Sequence, residues 1–183
     1  MEQNIFFNSQ NLLITNAVEE DNMLRIEGTA AHFGEANLNN EIVDEKSFDS
    51  FFLLYREGKL TPVLNFNHDP YALIGGIDNI YTKDNALWCS AHLNKDIAIC
   101  RDTLIPMVMS GDIKSYSTEG WVGFNDIVEH DDGTYYCKNF MLTGVAVVSL
   151  PADYNSEFSI KNYFENNKTL KTKKLNPIYH IFR

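Results

Sequence analysis

The chain has 183 residues, 44% of them hydrophobic, and a formal net charge of −10. That length supports one well-buried core and is too short for two ordinary domains. The acidic balance argues against a body that coats nucleic acid, because phosphate binding needs concentrated Lys and Arg.

No run of about 18 apolar residues occurs, and the N-terminus lacks the basic flank and apolar stretch of a signal peptide, so a soluble cytosolic protein with no membrane partner is expected. The three cysteines, Cys89, Cys100 and Cys137, are far apart and lie in apolar, strand-like sequence. They read as reduced core residues, not as a disulfide framework or metal site.

In chain order, "NLLITNAVEEDNMLRIEGTAAHFG" reads as two strands around the polar turn "EEDN". "EIVDEKSFDSFFLLYREG" carries a helical signal: Phe48, Phe51, Phe52 and Tyr55 fall at i, i+3, i+4, i+7, and Gly58 stands where the helix stops. From residue 61 to 93 the period changes to two. "TPVLNFNHD", "ALIGGIDNIYTKD" and "ALWCSAHLN" read as three strands, the last two joined by "TKDN".

A second helix follows in "NKDIAICRDTLIPMVMSGD", capped by Asn94 or Asp96 and ending at Gly111, with Pro106 expected to kink or shorten its last turn. "IKSYSTEGWVGFNDIVEH" and "TYYCKNFMLTGVAVVSL" read as two long strands joined by the hairpin turn "DDG". Past Pro151 the sequence turns polar and is expected to loosen into a tail with at most one short helix. That tail holds four lysines within residues 168–174, Lys168, Lys171, Lys173 and Lys174. The expected organisation is a compact body over residues 1–155 and a polar, basic tail over 156–183. The strand count gives a mostly antiparallel α+β fold, a β-barrel of about six to seven strands with two or three helices.

Two stretches offer chemistry. "NFNHDPYALIGG" sets His68 beside Asp69 at the end of an apolar run, and "SGDIKSYSTEGW" offers Ser117 on a later strand, with Ser115 as the competing hydroxyl on the same face. Serine hydroxyls are inert until a neighbouring imidazole takes their proton, so acyl-transfer hydrolysis needs the two groups to meet, with donors aimed at the oxyanion. His32, His68, His92 and His130 never fall at HxxxH or HxH spacing, and no phosphate-binding glycine loop occurs, so neither a metal nor another cofactor is expected.

The order of these features resembles the prohead proteases of tailed phages, the HK97-type capsid maturation family related to herpesvirus assemblins. "RIEGTAAHFGEANLNNEIVDEKSF", "VLNFNHDPYALIGGI", "VMSGDIKSYSTEGW" and "GVAVVSLPAD" carry the likeness, over about residues 24–153. It implies an assemblin-like fold, a serine endopeptidase, His68 as general base and Ser117 as nucleophile, with Gly111 and Ile113 setting the register that prefers Ser117 to Ser115. The amides of Thr118, Glu119 and Gly120 are the implied oxyanion donors.

Many relatives carry a carboxylate on the last strand, where this chain has Gly144 or Ala146; Asp69, Asp78, Glu119 and His92 are the possible substitutes, a dyad with a backbone carbonyl or water holding His68 is the other arrangement, and Glu119 is expected to point away from His68. The resemblance further implies action in the host cytoplasm inside the immature capsid, with the scaffold and the major capsid protein as partners and substrates. It also implies a docking or self-cleavage role for the basic tail, and a homodimer formed through a helix face, for which the Phe48, Phe51, Phe52, Tyr55 stripe is a candidate although core packing is the favoured reading of those side chains. The alternative is a catalytically impaired member acting as a non-enzymatic assembly module.

Overall fold

The computed structural model describes residues 22–161. The first strand of the expected opening hairpin and the lysine-rich segment lie outside those residues. Among the described residues, eleven strands fall into three sheets: β1 (Met23–His32), β2 (Glu41–Ile42), β3 (Val63–Phe66), β4 (Asp69–Leu73), β5 (Gly75–Lys83), β6 (Ala86–Asn94), β7 (Ser115–Val122), β8 (Ile127–Glu129), β9 (Tyr135–Cys137), β10 (Phe140–Val148) and β11 (Phe158–Ile160). The first sheet runs β11-β1-β6-β5, the second β4-β3-β10-β7, and a small third β2-β9-β8.

Most neighbours are antiparallel, but β3 beside β10 and β2 beside β9 are parallel. The fold is thus mixed α+β and mostly sheet. The ladders among the described residues group into three sheets, and they do not by themselves close the expected barrel of six to seven strands.

The amphipathic stripe forms helix α1 (Asp49–Arg56), entered through a short 3-10 turn over Glu45–Phe48. Asp44 caps that turn reciprocally with Ser47: the Ser47 amide donates to Asp44 Oδ1, and the Asp44 amide donates to Ser47 Oγ, both at 2.9 Å. Phe48 and Phe51 are buried, and Phe48 packs between Phe33 and Phe140. Phe52 and Tyr55 are partly buried against the same core. The side chains expected to offer a dimer face are therefore spent on the protein's own interior, because an aromatic stripe gains more from burial in the core than from water.

Pro106 acts earlier than expected. The chain is already helical at residues 98–99, and a wide turn over Cys100–Leu104, in which the Ile105 amide donates to the Cys100 carbonyl, leads directly into helix α2 (Ile105–Ser110); Pro106 follows that turn, whose wider spacing accommodates its missing N–H. The helix continues to Ser110, and Gly111 closes it with φ 82°.

The two long strands of the sequence reading are each interrupted. Residues 113–130 break at Gly123 and a short 3-10 turn, so that β7 pairs with β10 in the second sheet while β8 and β9 form a hairpin in the third. Residues past Pro151 do not loosen at once. Phe158–Ile160 pair antiparallel with Ile26–Gly28, which carries the ordered body beyond the expected boundary at residue 155.

Two contacts hold that return. Ser156 Oγ, fully buried, lies within hydrogen-bond distance of the carbonyls of Thr29 and Tyr116, and Gly28 leaves no room for a side chain under Glu157. Polar composition marked the segment as loose, but backbone pairing to β1 satisfies its amides regardless of side-chain polarity.

Candidate active site

His68 is not at a strand end but in a turn. Phe66 pairs with Asp69, so Asn67 and His68 form a two-residue hairpin loop between β3 and β4, and both have positive φ, 52° and 61°. This is the torsional pattern that lets a tight hairpin follow the strand twist, and it is ordinarily filled by Asn-Gly. A histidine in the second place carries a steric cost that Gly would not. Pro70 follows on β4, an edge strand, where a missing N–H is tolerated.

Ser115, Ser117 and Glu119 alternate along β7 and share one face of the sheet. Their partners on β10 are Val148, Ala146 and Gly144, and Ala146 in turn lies beside Asn65 on β3. The row Ser117–Ala146–Asn65 therefore crosses three strands, with the smallest side chain in the middle.

Above it, the Glu119 carboxylate is held from two sides. Asn65 Nδ2 lies 2.8 and 2.9 Å from its two oxygens, and His68 Nδ1 lies 2.8 Å from Oε1. A carboxylate only accepts, so in this bond His68 Nδ1 is the donor, and in the neutral form of the ring that leaves Nε2 with a free lone pair. Glu119, expected to point away from His68, is bonded to it. The reason is room: Gly144 stands opposite, and a Cβ there would lie 2.7 Å from Glu119 Oε2.

The other substitutes are engaged elsewhere. Asp69 accepts from the Tyr71 amide at 2.9 Å. Asp78 Oδ1 is 2.7 Å from His92 Nδ1, and its Oδ2 is 3.1 Å from Arg25. His32 pairs with Asp153 and His130 with Thr134, and no group of three or more metal-ligating side chains occurs among the described residues.

An open cleft of about 680 Å³ brings the candidates together: His68, Ser117, Thr118, Glu119 and Gly120 all line it, with Leu38, Phe140 and Leu150 among its apolar members. Ser115, buried on the same strand face, does not line it. Ser117 is 3% exposed, and His68 is the more open of the two, its side chain 44% exposed. A separate recess of about 30 Å³, walled by Ala30, Ala31, Val43 and Asp153, shares Ser117, Thr118 and Phe140 with the cleft; it has space on the order of one or two waters. Among the hydrogen bonds between described residues, none joins Ser117 to His68. Such contacts are often long in an unliganded site and tighten around substrate.

Gly120 has a packing reason of its own, because a Cβ there would meet the Met141 carbonyl and the Phe140 ring, each at 2.4 Å. Its partner strand carries a bulge at Thr143, which shifts the register between Leu142 and Gly144. Asn65 and the inviting gap at Gly144 were not foreseen from sequence. The one signal available was "FNHD", a hairpin pattern with histidine where glycine is usual.

Residues 11–171 match the family described as Caudovirus prohead serine protease. A search of curated proteins returned no match. Among solved structures, the capsid assembly protease of bacteriophage T4 aligns with TM-score 0.57 and 18% identity, over 68% of this chain and 80% of that one. The KSHV protease in complex with a hexapeptide phosphonate inhibitor aligns with TM-score 0.52 and 9% identity, over 76% of this chain and 65% of that one. These likenesses bear on fold alone; the family match extends over most of the sequence. The chain belongs to the Caudovirus prohead serine protease family.

Proposed function

We propose that the protein is a serine endopeptidase that cuts scaffold or major capsid protein within the phage prohead, with Ser117 as nucleophile and His68 as general base. The observation that carries this reading is the His68–Glu119 bond. It favours the Nδ1 proton, which in the neutral ring leaves Nε2 as an acceptor, and His68 lines the same cleft as Ser117.

In the proposed reaction the Ser117 Oγ attacks a substrate carbonyl and its proton passes to His68 Nε2. Collapse of the tetrahedral intermediate breaks the C–N bond, His68 gives the proton to the departing amine, and water repeats the sequence on the acyl-enzyme. Backbone amides at Thr118, Glu119 and Gly120 are the donors proposed for the oxyanion; they follow the nucleophile on β7 and line the cleft. The cleft is open, which suits an extended polypeptide.

The lysine-rich segment 168–174 is a further proposed substrate, cut by the enzyme itself; it is the one strongly basic stretch that an otherwise acidic chain presents. Mass spectrometry of particles assembled with the wild-type chain and with Ser117→Ala tests all of this. Discrete capsid or scaffold fragments that vanish in Ser117→Ala are expected. Unchanged cleavage by that variant would remove the assignment, and intact co-assembly with no processing by either chain would favour a non-enzymatic assembly role.

A further inference from the structure

We propose that Glu119 is the positioning residue for the His68 imidazole, that Asn65 anchors it, and that position 144 is glycine because any side chain there would evict the carboxylate. The kinetic consequence of this inference rests on the protease reading; the geometry does not.

Four observations converge on it. First, Glu119 sits two residues after Ser117 on the same strand face, so one rigid element carries both the hydroxyl and the acid. Second, its carboxylate has its partners from two sides: Asn65 Nδ2 near both oxygens, and His68 Nδ1 on Oε1. Third, the Asn65 side chain is committed at a cost. Asn65 is fully buried, and its Oδ1 has no hydrogen-bond partner among the described residues. A surface ion pair needs no such commitment, and an orphaned buried acceptor is a feature that functional sites tolerate. Fourth, the cross-strand neighbour of Glu119 is the residue that would otherwise fill its space. A Cβ at 144 would lie 2.7 Å from Oε2, 3.2 Å from the Val63 carbonyl and 3.3 Å from a Val63 methyl.

The chemistry follows from what the carboxylate can do. It accepts and cannot donate, so it holds the proton on Nδ1 and the ring in one orientation, and it stabilises the imidazolium formed when Ser117 gives up its proton. A glutamine in its place can turn its NH₂ toward Nδ1, which drives the His68 proton to Nε2 and removes the acceptor that Ser117 needs. Losing the correct tautomer in an otherwise intact serine-hydrolase site costs about 10⁴-fold. The half-open position of His68 leaves water as a partial substitute, so a loss on the order of 10²–10⁴-fold is expected here.

The test uses the full chain and two readouts. A fluorophosphonate probe reports activation of Ser117, since its P–F bond breaks, an Oγ–P bond forms, fluoride leaves and His68 takes the serine proton. ¹⁵N NMR of the histidine rings reports which nitrogen of His68 carries the proton. Wild type should label at Ser117 with the His68 proton on Nδ1. Glu119→Gln should label 10²-fold or more slowly with that proton moved to Nε2, whereas Glu119→Asp should keep the Nδ1 proton and label at an intermediate rate. Gly144→Ala should slow labelling as Glu119→Gln does, without touching any group that reacts.

Wild-type rates and an unmoved proton in Glu119→Gln would overturn the inference. Failure of the wild type to label would count against the protease reading alone, because the ring proton still decides whether Glu119 positions His68. Should Glu119→Gln not fold, the aspartate and alanine variants carry the same comparison, and wild-type labelling in both would overturn it.

Discussion

On the proposed mechanism, replacing His68 by glycine and by alanine should give two inactive proteins, whose stabilities should differ in a sign that the hairpin turn dictates. At φ 61° the residue lies in the left-handed region, where an L side chain costs about 1–2 kcal/mol. Alanine keeps that cost and glycine removes it. Glycine also gives the unfolded chain extra freedom, which offsets about 0.4–1 kcal/mol of the gain. Both variants lose the half-exposed bond to Glu119, worth about 0.2–1 kcal/mol, so that loss cancels in the comparison.

His68→Gly should therefore be more stable than His68→Ala by about 1 kcal/mol, a difference of roughly 2–4 °C in Tm for a chain of this size. Thermal melts followed by circular dichroism measure it, and fluorophosphonate labelling shows that neither variant activates Ser117. An alanine variant as stable as the glycine variant, or more so, would refute the claim that the turn holds His68 in a strained conformation for the sake of its ring.

Further outcomes follow from the same coordinates. Gly28→Ala should cost about 3 kcal/mol in urea unfolding, because the new Cβ would lie 2.0 Å from the Glu157 carbonyl oxygen and force β11 off β1; a loss under about 0.5 kcal/mol would contradict that packing. None of the three thiols should react with Ellman's reagent before unfolding, since Cys89, Cys100 and Cys137 are all buried and burial pushes each thiol up from its usual range; a fast native reaction would show an exposure the fold does not have.

At Asp44, burial opposes ionisation, but hydrogen bonds from the Tyr136 hydroxyl and from Ser47 outweigh it and hold the carboxyl below its ordinary value. A carboxyl lowered on folding stabilises above its unfolded pKa, and that contribution fades as pH falls through the folded value. Asp44→Asn should thus be less stable than wild type at neutral pH, and the gap should close in acid; a gap independent of pH would show that the charge plays no part.

Much of this protein is legible along the chain. The spacing of Phe48, Phe51, Phe52 and Tyr55 encodes a helix with one buried face, and Gly58 and Gly111 encode its end and that of the next, because those signals concern torsions and burial within a few residues. His68 and Ser117 stood out for the same reason: each sits in a short stretch with an interpretable neighbourhood. Polar composition past Pro151, however, concealed β11, whose pairing depends on backbone amides.

Only the tertiary structure decided what surrounds the two candidates. The parallel pairing of β3 with β10 and the antiparallel pairing of β10 with β7 bring Asn65, Gly144 and Glu119 onto neighbouring strands although they are far apart in sequence. Glu119 reaches His68 because the residue opposite it has no side chain, and no periodicity or composition within the "STEG" stretch reports what stands across the sheet. Local sequence sets torsion angles and the buried face; the register between distant strands, fixed by packing of the whole core, sets which polar groups meet.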